Sequence, residues 1–286
     1  MEYKFSDKAL KLIKGGYDVH VHPDPSHFPR NTDDFQLVRR ADELEMAGVM
    51  LKSHYDPTGA RARLANKYAG AKHTRAYGGV ALNWPVGGLN PYAVESNFKM
   101  GGRVVWMPTR DSHNCLQYGD MPGDFFKRPG IRAFDEAGKL RPVIYEILEI
   151  VRANNGVLAT AHLYLDEVLA LCAAALDMGV TTVLTHPEWV RTAVPLELQV
   201  QLAGQGVVIE KLWENVRDGF VTAEYLAHTM REIGFEHIMW GTDGAFGDFD
   251  PIQAIMDFID AMSAEGLDDD AIRVMLCETA GKLLNG

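Results

Sequence analysis

The chain has 286 residues, of which 47% are hydrophobic and 23% are charged, a balance typical of a folded globular protein. Its net charge of −11 argues against nucleic acid and anionic membranes as partners. No apolar run reaches the roughly 18 residues that span a bilayer, and the first residues carry no apolar signal segment. The three cysteines lie far apart and outside any C-x-x-C motif. We therefore expect a cytoplasmic protein that acts on a small molecule.

Short strand-like runs alternate with amphipathic helical stretches along the whole chain. The predicted strands are 17–21, 48–53, 77–82, 103–107, 156–161, 180–185, 207–209 and 237–240. The predicted helices are 33–47, 60–68, 91–100, 142–153, 166–178, 195–203, 222–233, 251–265 and 269–284. This order predicts an α/β fold, a single-domain (β/α)8 TIM barrel over residues 1–286. An open doubly wound sheet is the alternative, but the chain has no G-x-G-x-x-G or P-loop motif.

One long irregular insertion, residues 111–140, separates the fourth predicted strand from its helix. In a barrel, such a loop lies over the mouth of the active site, so we expect it to form a lid or a wall for the substrate. The alternative is an ordinary surface loop.

Four histidines and one aspartate stand at the C-terminal ends of four predicted strands. His20 and His22 are two residues apart on the first strand, so their side chains share one face. His162, His186 and Asp243 end three later strands. Because all strand ends of a parallel barrel open on one face, the five side chains should converge, and this is an active-site pattern. The alternative is that several of these histidines only satisfy hydrogen bonds in the core.

Imidazole nitrogens and a carboxylate suit a divalent cation. Zn²⁺ fits best, and Mn²⁺, Fe²⁺ and Co²⁺ use the same ligands. A metal ion lowers the pKa of a bound water toward about 7. Asp243 is then placed to accept the proton of that water and to return it to the leaving group.

The order of these motifs resembles the amidohydrolase superfamily, metal-dependent hydrolases built on a (β/α)8 barrel. The resemblance covers nearly the whole chain, including a closing helix at 278–284. It implies that His20, His22 and Asp243 bind the more buried ion and that His162 and His186 bind a second ion. In one-metal members, the equivalent of His162 joins the first ion and that of His186 polarises the substrate.

The chain departs from this pattern at the fourth strand, which ends without the lysine or glutamate that usually bridges two ions. Lys52, at the end of the second predicted strand, is the substitute candidate. Three roles remain open for Lys52: a carbamylated bridge, an ammonium that binds a substrate carboxylate, and a structural ion pair. A lysine buried at this position is costly unless it is paired or modified.

Other polar and aromatic residues near the strand ends are candidates for substrate binding, with loop or core roles as the alternatives. Glu210 is expected to orient a ligand histidine rather than to bind substrate. The substrate-binding candidates are His54, Tyr55, Arg110, His113, Trp84 and Trp106.

The function predicted from the sequence is hydrolysis of an amide, cyclic amide, lactone or ester bond of a small molecule by metal-activated water. If the bond is an amide, the predicted substrate is a C–N bond other than a peptide bond. A first alternative is a one-metal decarboxylase of an aromatic or unsaturated acid, which requires unmodified Lys52. A second is a metal-binding protein without catalysis. Self-association through the outer helices is a further expectation.

Overall fold

The computed structural model describes residues 5–118 and 128–286. In this part of the chain, eight parallel strands pair in sequence order, β1 through β8. The chain also joins the two outer strands, because Asp243 N donates to His20 O at 2.8 Å and His22 N donates to Gly244 O at 3.1 Å. The strands are β1 (Tyr17–Val21), β2 (Gly48–Leu51), β3 (Arg75–Ala81), β4 (Val104–Trp106), β5 (Val157–Ala159), β6 (Thr181–Leu184), β7 (Val208–Leu212) and β8 (Ile238–Gly241). The predicted (β/α)8 barrel is confirmed.

Helices alternate with the strands and surround the barrel. Local sequence sets several of their starts: Asp33 and Gln36 form a capping box before the second helix, and Asp250 caps the eleventh. The helices are α1 (Asp7–Leu12), α2 (Asp34–Glu43), α3 (Gly59–Tyr68), α4 (Pro91–Lys99), α5 (His113–Tyr118), α6 (Pro142–Ala153), α7 (Leu165–Asp177), α8 (Leu196–Gly204), α9 (Glu214–Arg217), α10 (Ala223–Ile233), α11 (Pro251–Ala264), α12 (Asp269–Arg273) and α13 (Ala280–Asn285).

Apolar side chains fill the barrel interior below the strand ends. Trp106 is 2% exposed there. It lies among side chains from several other strands, including Val19, Met50, Val157 and Met239. This packed layer separates the C-terminal end of the barrel, where the active sites of such barrels lie, from its N-terminal end.

Strand β7 is the clearest difference from the predicted elements. It runs to Leu212 rather than stopping at residue 209, so Glu210 and Lys211 lie inside a buried strand. Because buried charges are costly unless they are paired, the sequence pattern predicted that this strand ends before Glu210. Both are paired: Glu210 accepts from His20, and Lys211 donates to Glu188 and Gln199.

Several helix boundaries also differ from the sequence pattern. Helix α1 precedes the barrel and was not predicted, and α5 lies inside the predicted insertion. A π-helical segment, Val274–Thr279, interrupts the predicted last helix between α12 and α13. Residues 119–127 of the insertion are outside the described residues, so its role as a lid stays a prediction. None of the helices in the described ranges is both long and apolar enough to cross a membrane.

Candidate metal centre and active site

His20, His22 and Asp243 meet at the C-terminal end of the barrel. One ligand atom from each residue lies within 4.8 Å of the others. Asp243 Oδ1 is 3.0 Å from His22 Nε2 and 3.5 Å from His20 Nε2. Both histidines are almost fully buried, at 0% and 4% exposure. The structure thus brings together the three residues that the resemblance assigned to one ion.

The hydrogen bonds of His20 determine which of its ring nitrogens is free to accept. Glu210 Oε1 lies 3.1 Å from His20 Nδ1, and a carboxylate only accepts, so Nδ1 carries the proton. The lone pair of Nε2 then accepts from Lys52 Nζ at 2.8 Å. The second oxygen of Glu210 accepts from His186 N at 3.2 Å. Glu210 therefore connects the His20 ring to the β6 end, in the orienting role expected for it.

His162 and His186 form a second pair beside this cluster. Their Nε2 atoms are 3.2 Å apart. Thr192 Oγ1 donates to the main-chain oxygen of His186 and lies 2.9 Å from its Nδ1, so Nδ1 donates back to the hydroxyl. This arrangement leaves Nε2 of His186 as an acceptor. The Trp189 ring covers both histidines, with centroids 4.9 Å and 5.4 Å away.

Threonines and strained backbone hold these strand ends in position. Ala161 N donates to Thr185 Oγ1 at 3.0 Å, and Thr185 N donates to Thr160 Oγ1 at 3.1 Å. These reciprocal bonds join the ends of β5 and β6. The backbone then turns sharply through left-handed conformations, with φ of 51° at Ala161, 28° at His186 and 59° at Asp243. Such conformations cluster at functional sites, where the surrounding structure enforces them.

Burial favours the neutral form of four histidines of the site. It lowers the pKa of His22, His54 and His162 well below the usual value for histidine, and it lowers the pKa of His186 to about 4. Neutral imidazoles at pH 7 offer lone pairs to a metal ion.

The carboxyl groups of Asp243 and Glu214 are driven apart in pKa. Burial opposes ionisation of Asp243, but its interactions with His20, with Lys52 and with His22, whose Nε2 lies 3.0 Å from Oδ1, outweigh burial and hold its pKa well below its usual range. Burial and the neighbouring Asp243 raise the pKa of Glu214 well above its usual range. A raised pKa favours the protonated form of Glu214, the form that can donate a hydrogen bond to Asp243.

A cavity of about 420 Å³ opens above the cluster. His22, Lys52, His162, His186 and Asp243 line it. This volume falls within the roughly 300–1,000 Å³ typical of small-molecule sites.

Among the substrate-binding candidates, His54 and Arg110 line this cavity. The His54 ring stacks on His22 with centroids 4.5 Å apart, and its Nδ1 lies 2.8 Å from Thr109 Oγ1. Arg110 stands over the Phe28 ring at 5.3 Å.

The other four candidates are not among the described residues that line the cavity. Tyr55 stacks on His27 at 3.7 Å, and His113 Nδ1 lies 2.8 Å from the Tyr164 hydroxyl. Trp84 Nε1 donates to Pro129 O at 2.8 Å and so contacts the insertion instead. Trp106 lies in the barrel core, its ring 5.4 Å from Lys52 Nζ. Their contact with substrate stays a prediction.

The sequence reasoning missed further residues of the cavity wall. These residues follow strand ends, and the loops after the strand ends of a barrel build its active site. Their position along the chain was therefore the signal that could have identified them. The missed residues are Phe28, Arg30, Trp189, Arg191, Glu214, Asp218, Phe220 and Phe246.

Solved structures show the same architecture. An amidohydrolase from Pseudomonas aeruginosa is 10% identical with a TM-score of 0.65, covering 96% of this chain and 97% of its own. A putative 2-pyrone-4,6-dicarboxylic acid hydrolase from Pseudomonas putida is 14% identical with a TM-score of 0.59, covering 94% and 97%. A β-aspartyl dipeptidase from Fervidobacterium islandicum AW-1 is 12% identical with a TM-score of 0.65, covering 96% and 73%. The amidohydrolase-type fold predicted from the sequence is confirmed.

The chain itself belongs to the family described as "Family of unknown function (DUF6282)", whose model matches residues 15–210. The matched segment contains four of the five strand-end residues of the site, from His20 to His186, and Asp243 lies beyond it. No curated protein matches this chain.

Proposed function

We propose that this protein is a metal-dependent hydrolase that cleaves an amide, cyclic amide, lactone or ester bond of a small molecule. The observation that carries the proposal is the convergence of His20, His22 and Asp243, with ligand atoms within 4.8 Å of one another, below a cavity of about 420 Å³. The likeness of the fold to proteins named as an amidohydrolase, a putative hydrolase and a dipeptidase supports it.

The donor set fits a divalent ion. The tautomer of His20 leaves Nε2 as the acceptor, and Asp243 is ionised. Within the described part of the chain, His22 Nδ1 and His162 Nδ1 are buried without a hydrogen-bond partner. Two imidazoles and one carboxylate favour Zn²⁺, with Mn²⁺, Fe²⁺ and Co²⁺ as alternatives.

The chemistry that a bound divalent ion supplies is polarisation of a carbonyl group and a lower pKa for water. The ionised Asp243 accepts a proton from the attacking water and returns it to the leaving group. Glu210 keeps the His20 ring in one orientation. His186, with Nε2 left as an acceptor, is better suited to hold a metal ion than to donate to the substrate.

Lys52 and a divalent metal ion would compete for the lone pair of His20 Nε2. Its Nζ donates to His20 Nε2, whose lone pair a metal ion needs. Burial lowers the pKa of Lys52, which favours its neutral amine, the form that reacts with carbon dioxide to give a carbamate. Among the described residues Lys52 has no ion-pair partner, so a structural ion pair is not proposed for it. The two roles that we propose for Lys52 are a carbamylated bridge between ions and an ammonium that binds the substrate.

One observation favours the decarboxylase as a second candidate. The described residues contain one group of three metal ligands, and His162 and His186 lie outside it. A single ion with an unmodified Lys52 ammonium is the arrangement that this alternative requires.

Metal content separates the two candidates. The protein is purified with bicarbonate and without chelators, and metal per chain is measured by elemental mass spectrometry. Two ions support the hydrolase with a Lys52 bridge, and amides, imides and lactones are then screened. One ion favours the decarboxylase, and carboxylated rings are screened instead. A chain without bound metal would refute both candidates.

Asp243→Asn tests the proton transfer. The variant should remain folded and lose about 10²–10⁴-fold in turnover, the usual contribution of a general base. Asp257→Asn, the same change on an exposed face of α11, is the control and should leave the rate unchanged. A near-normal rate in Asp243→Asn would remove this residue from the mechanism.

A further inference from the structure

One residue of the long insertion joins the ends of two strands of the candidate site. Asn114 lies on α5 and is 5% exposed. Its side-chain nitrogen Nδ2 donates to Arg191 O at 2.6 Å, to Leu163 O at 3.1 Å and to His162 O at 3.3 Å. His162 and Leu163 follow β5, whereas Arg191 belongs to the segment between β6 and α8. A single amide group therefore bonds two separate loops.

The orientation of the Asn114 amide follows from its partners. All three are main-chain carbonyl oxygens, which only accept hydrogen bonds, so the NH2 end of the amide faces them. An NH2 group carries two hydrogens and can thus bond both loops at once. Leucine has nearly the same shape without a donor, and aspartate has the same shape with an oxygen in place of the NH2 group. Neither side chain can replace the bonds that the asparagine makes here.

Both loops bonded by Asn114 carry a histidine of the site. On the β5 side, one bond is made to the main chain of His162 itself. On the β6 side, the bonded Arg191 is followed by Thr192, whose hydroxyl donates to His186 O at 2.9 Å and lies 2.9 Å from His186 Nδ1. Holding the main chain of Arg191 therefore also holds the hydroxyl that orients the His186 ring.

Other residues of α5 hold the same β6 loop. Cys115 Sγ accepts from Arg191 Nη1 at 3.5 Å, and the centre of the Tyr118 ring lies 5.0 Å from Arg191 Cζ. The centre of the Trp189 ring lies 4.9 Å from the same Cζ, and Trp189 covers the histidine pair. Helix α5 thereby keeps the loop that carries Trp189 against the site.

We infer that Asn114 is a positioning residue that sets the separation of His162 and His186, whose Nε2 atoms lie 3.2 Å apart. The inference deepens the proposed function and rests on it only for the chemistry that the two histidines serve. Residues that orient metal-binding side chains without touching the ion typically change metal affinity about 10–100-fold. Asn114 acts in this way on two strand ends at once, because its partners belong to both.

Asn114→Leu removes the donor, and hydrogen–deuterium exchange of the metal-free protein tests the coupling of the two loops. The amides to follow are those of His162 and Thr192, each of which donates to a main-chain oxygen. Both should exchange about 10-fold faster, since the loss of a buried hydrogen bond weakens local structure by about that factor. A role in overall stability alone would instead speed exchange in all eight strands equally.

Metal affinity is the second readout, measured by competition with a chelator of known affinity. Zn²⁺ should bind to Asn114→Leu about 10-fold or more weakly than to the wild type. Asn97→Leu is the matched control, because Asn97 is a buried asparagine of α4 whose side chain has no hydrogen-bond partner within the described part of the chain. The control should keep the wild-type exchange of both amides and the wild-type affinity for Zn²⁺.

Three results for Asn114→Leu would overturn the inference: unchanged exchange at either amide, equal acceleration in all eight strands, or unchanged Zn²⁺ affinity. If this variant does not fold, Asn114→Asp removes the same donor and should show the same two effects. A wild type that binds no Zn²⁺ would refute the proposed function. Exchange in the metal-free protein would then still decide whether Asn114 couples the two loops.

Discussion

Glu210 is the residue through which the proposed metal centre is most sharply testable. Its side chain is buried and accepts two hydrogen bonds, from His20 Nδ1 at 3.1 Å and from His186 N at 3.2 Å. Burial opposes its ionisation, but His20, His186 and Lys52 outweigh burial and hold its pKa below the usual range. Glu210 is thus a charged acceptor between two elements of the site.

The Glu210→Gln variant keeps the shape and removes the charge. The amide has one oxygen, so one of the two buried donors faces an NH2 group and loses its acceptor. Leaving a buried donor unsatisfied costs about 1–3 kcal/mol. Since about 1.4 kcal/mol corresponds to a factor of ten, we expect metal affinity to fall about 10–100-fold, which is the usual effect of removing the partner of a metal-binding histidine.

Metal dissociation constants are measured by competition with a chelator of known affinity, and stability by urea denaturation. Glu167→Gln is the matched control, because Glu167 is equally buried and accepts from Ala133 N and Phe134 N, and none of its hydrogen-bond partners among the described residues is a candidate metal ligand. It should lose stability and keep its metal affinity. Unchanged metal affinity in Glu210→Gln would refute the positioning role of Glu210.

Two further predictions concern stability. Because burial lowers the pKa of His186 from 6.5 to about 4, the unfolded chain binds a proton that the folded chain refuses, and stability is lost as pH falls from 6.5 to 4. The loss from this group in metal-free protein is about 3 kcal/mol by urea denaturation. In His186→Asn, the free energy of unfolding should depend less on pH between 6.5 and 4. An equal reduction in His228→Asn, at an exposed histidine, would contradict the assignment of this pH dependence to His186. Thr242→Val removes the hydroxyl that donates to the buried Asp18 at 2.7 Å, and unfolding should become easier by about 1–3 kcal/mol. The buried Thr229→Val, whose hydroxyl donates only within α10, is the control, and an equal loss there would count against a special role for the β1–β8 contact.

Much of the fold and of the candidate metal centre could be predicted from the sequence because both follow from local patterns. Strand and helix periods show in short windows, and they predicted eight strands in the order that the sheet has. His20 and His22 share a face because they are two residues apart on a strand. His162, His186 and Asp243 could be placed near them because every strand of a parallel barrel ends at the same rim.

Tertiary structure alone decided which polar groups are paired and which loop residues meet. Glu210 and Lys211 could enter a buried strand only because partners from other strands and loops compensate their charges. Arg30 reaches the cavity through the path of a loop, and Arg110, which lines the same cavity, comes from a loop 80 residues further along the chain. Trp106 ends a strand, as residues of the rim do, yet it points into the barrel core. Pairing and packing between distant segments have no local signature, so the sequence predicted the barrel and its candidate metal ligands, and the folded structure determined the surroundings of those residues.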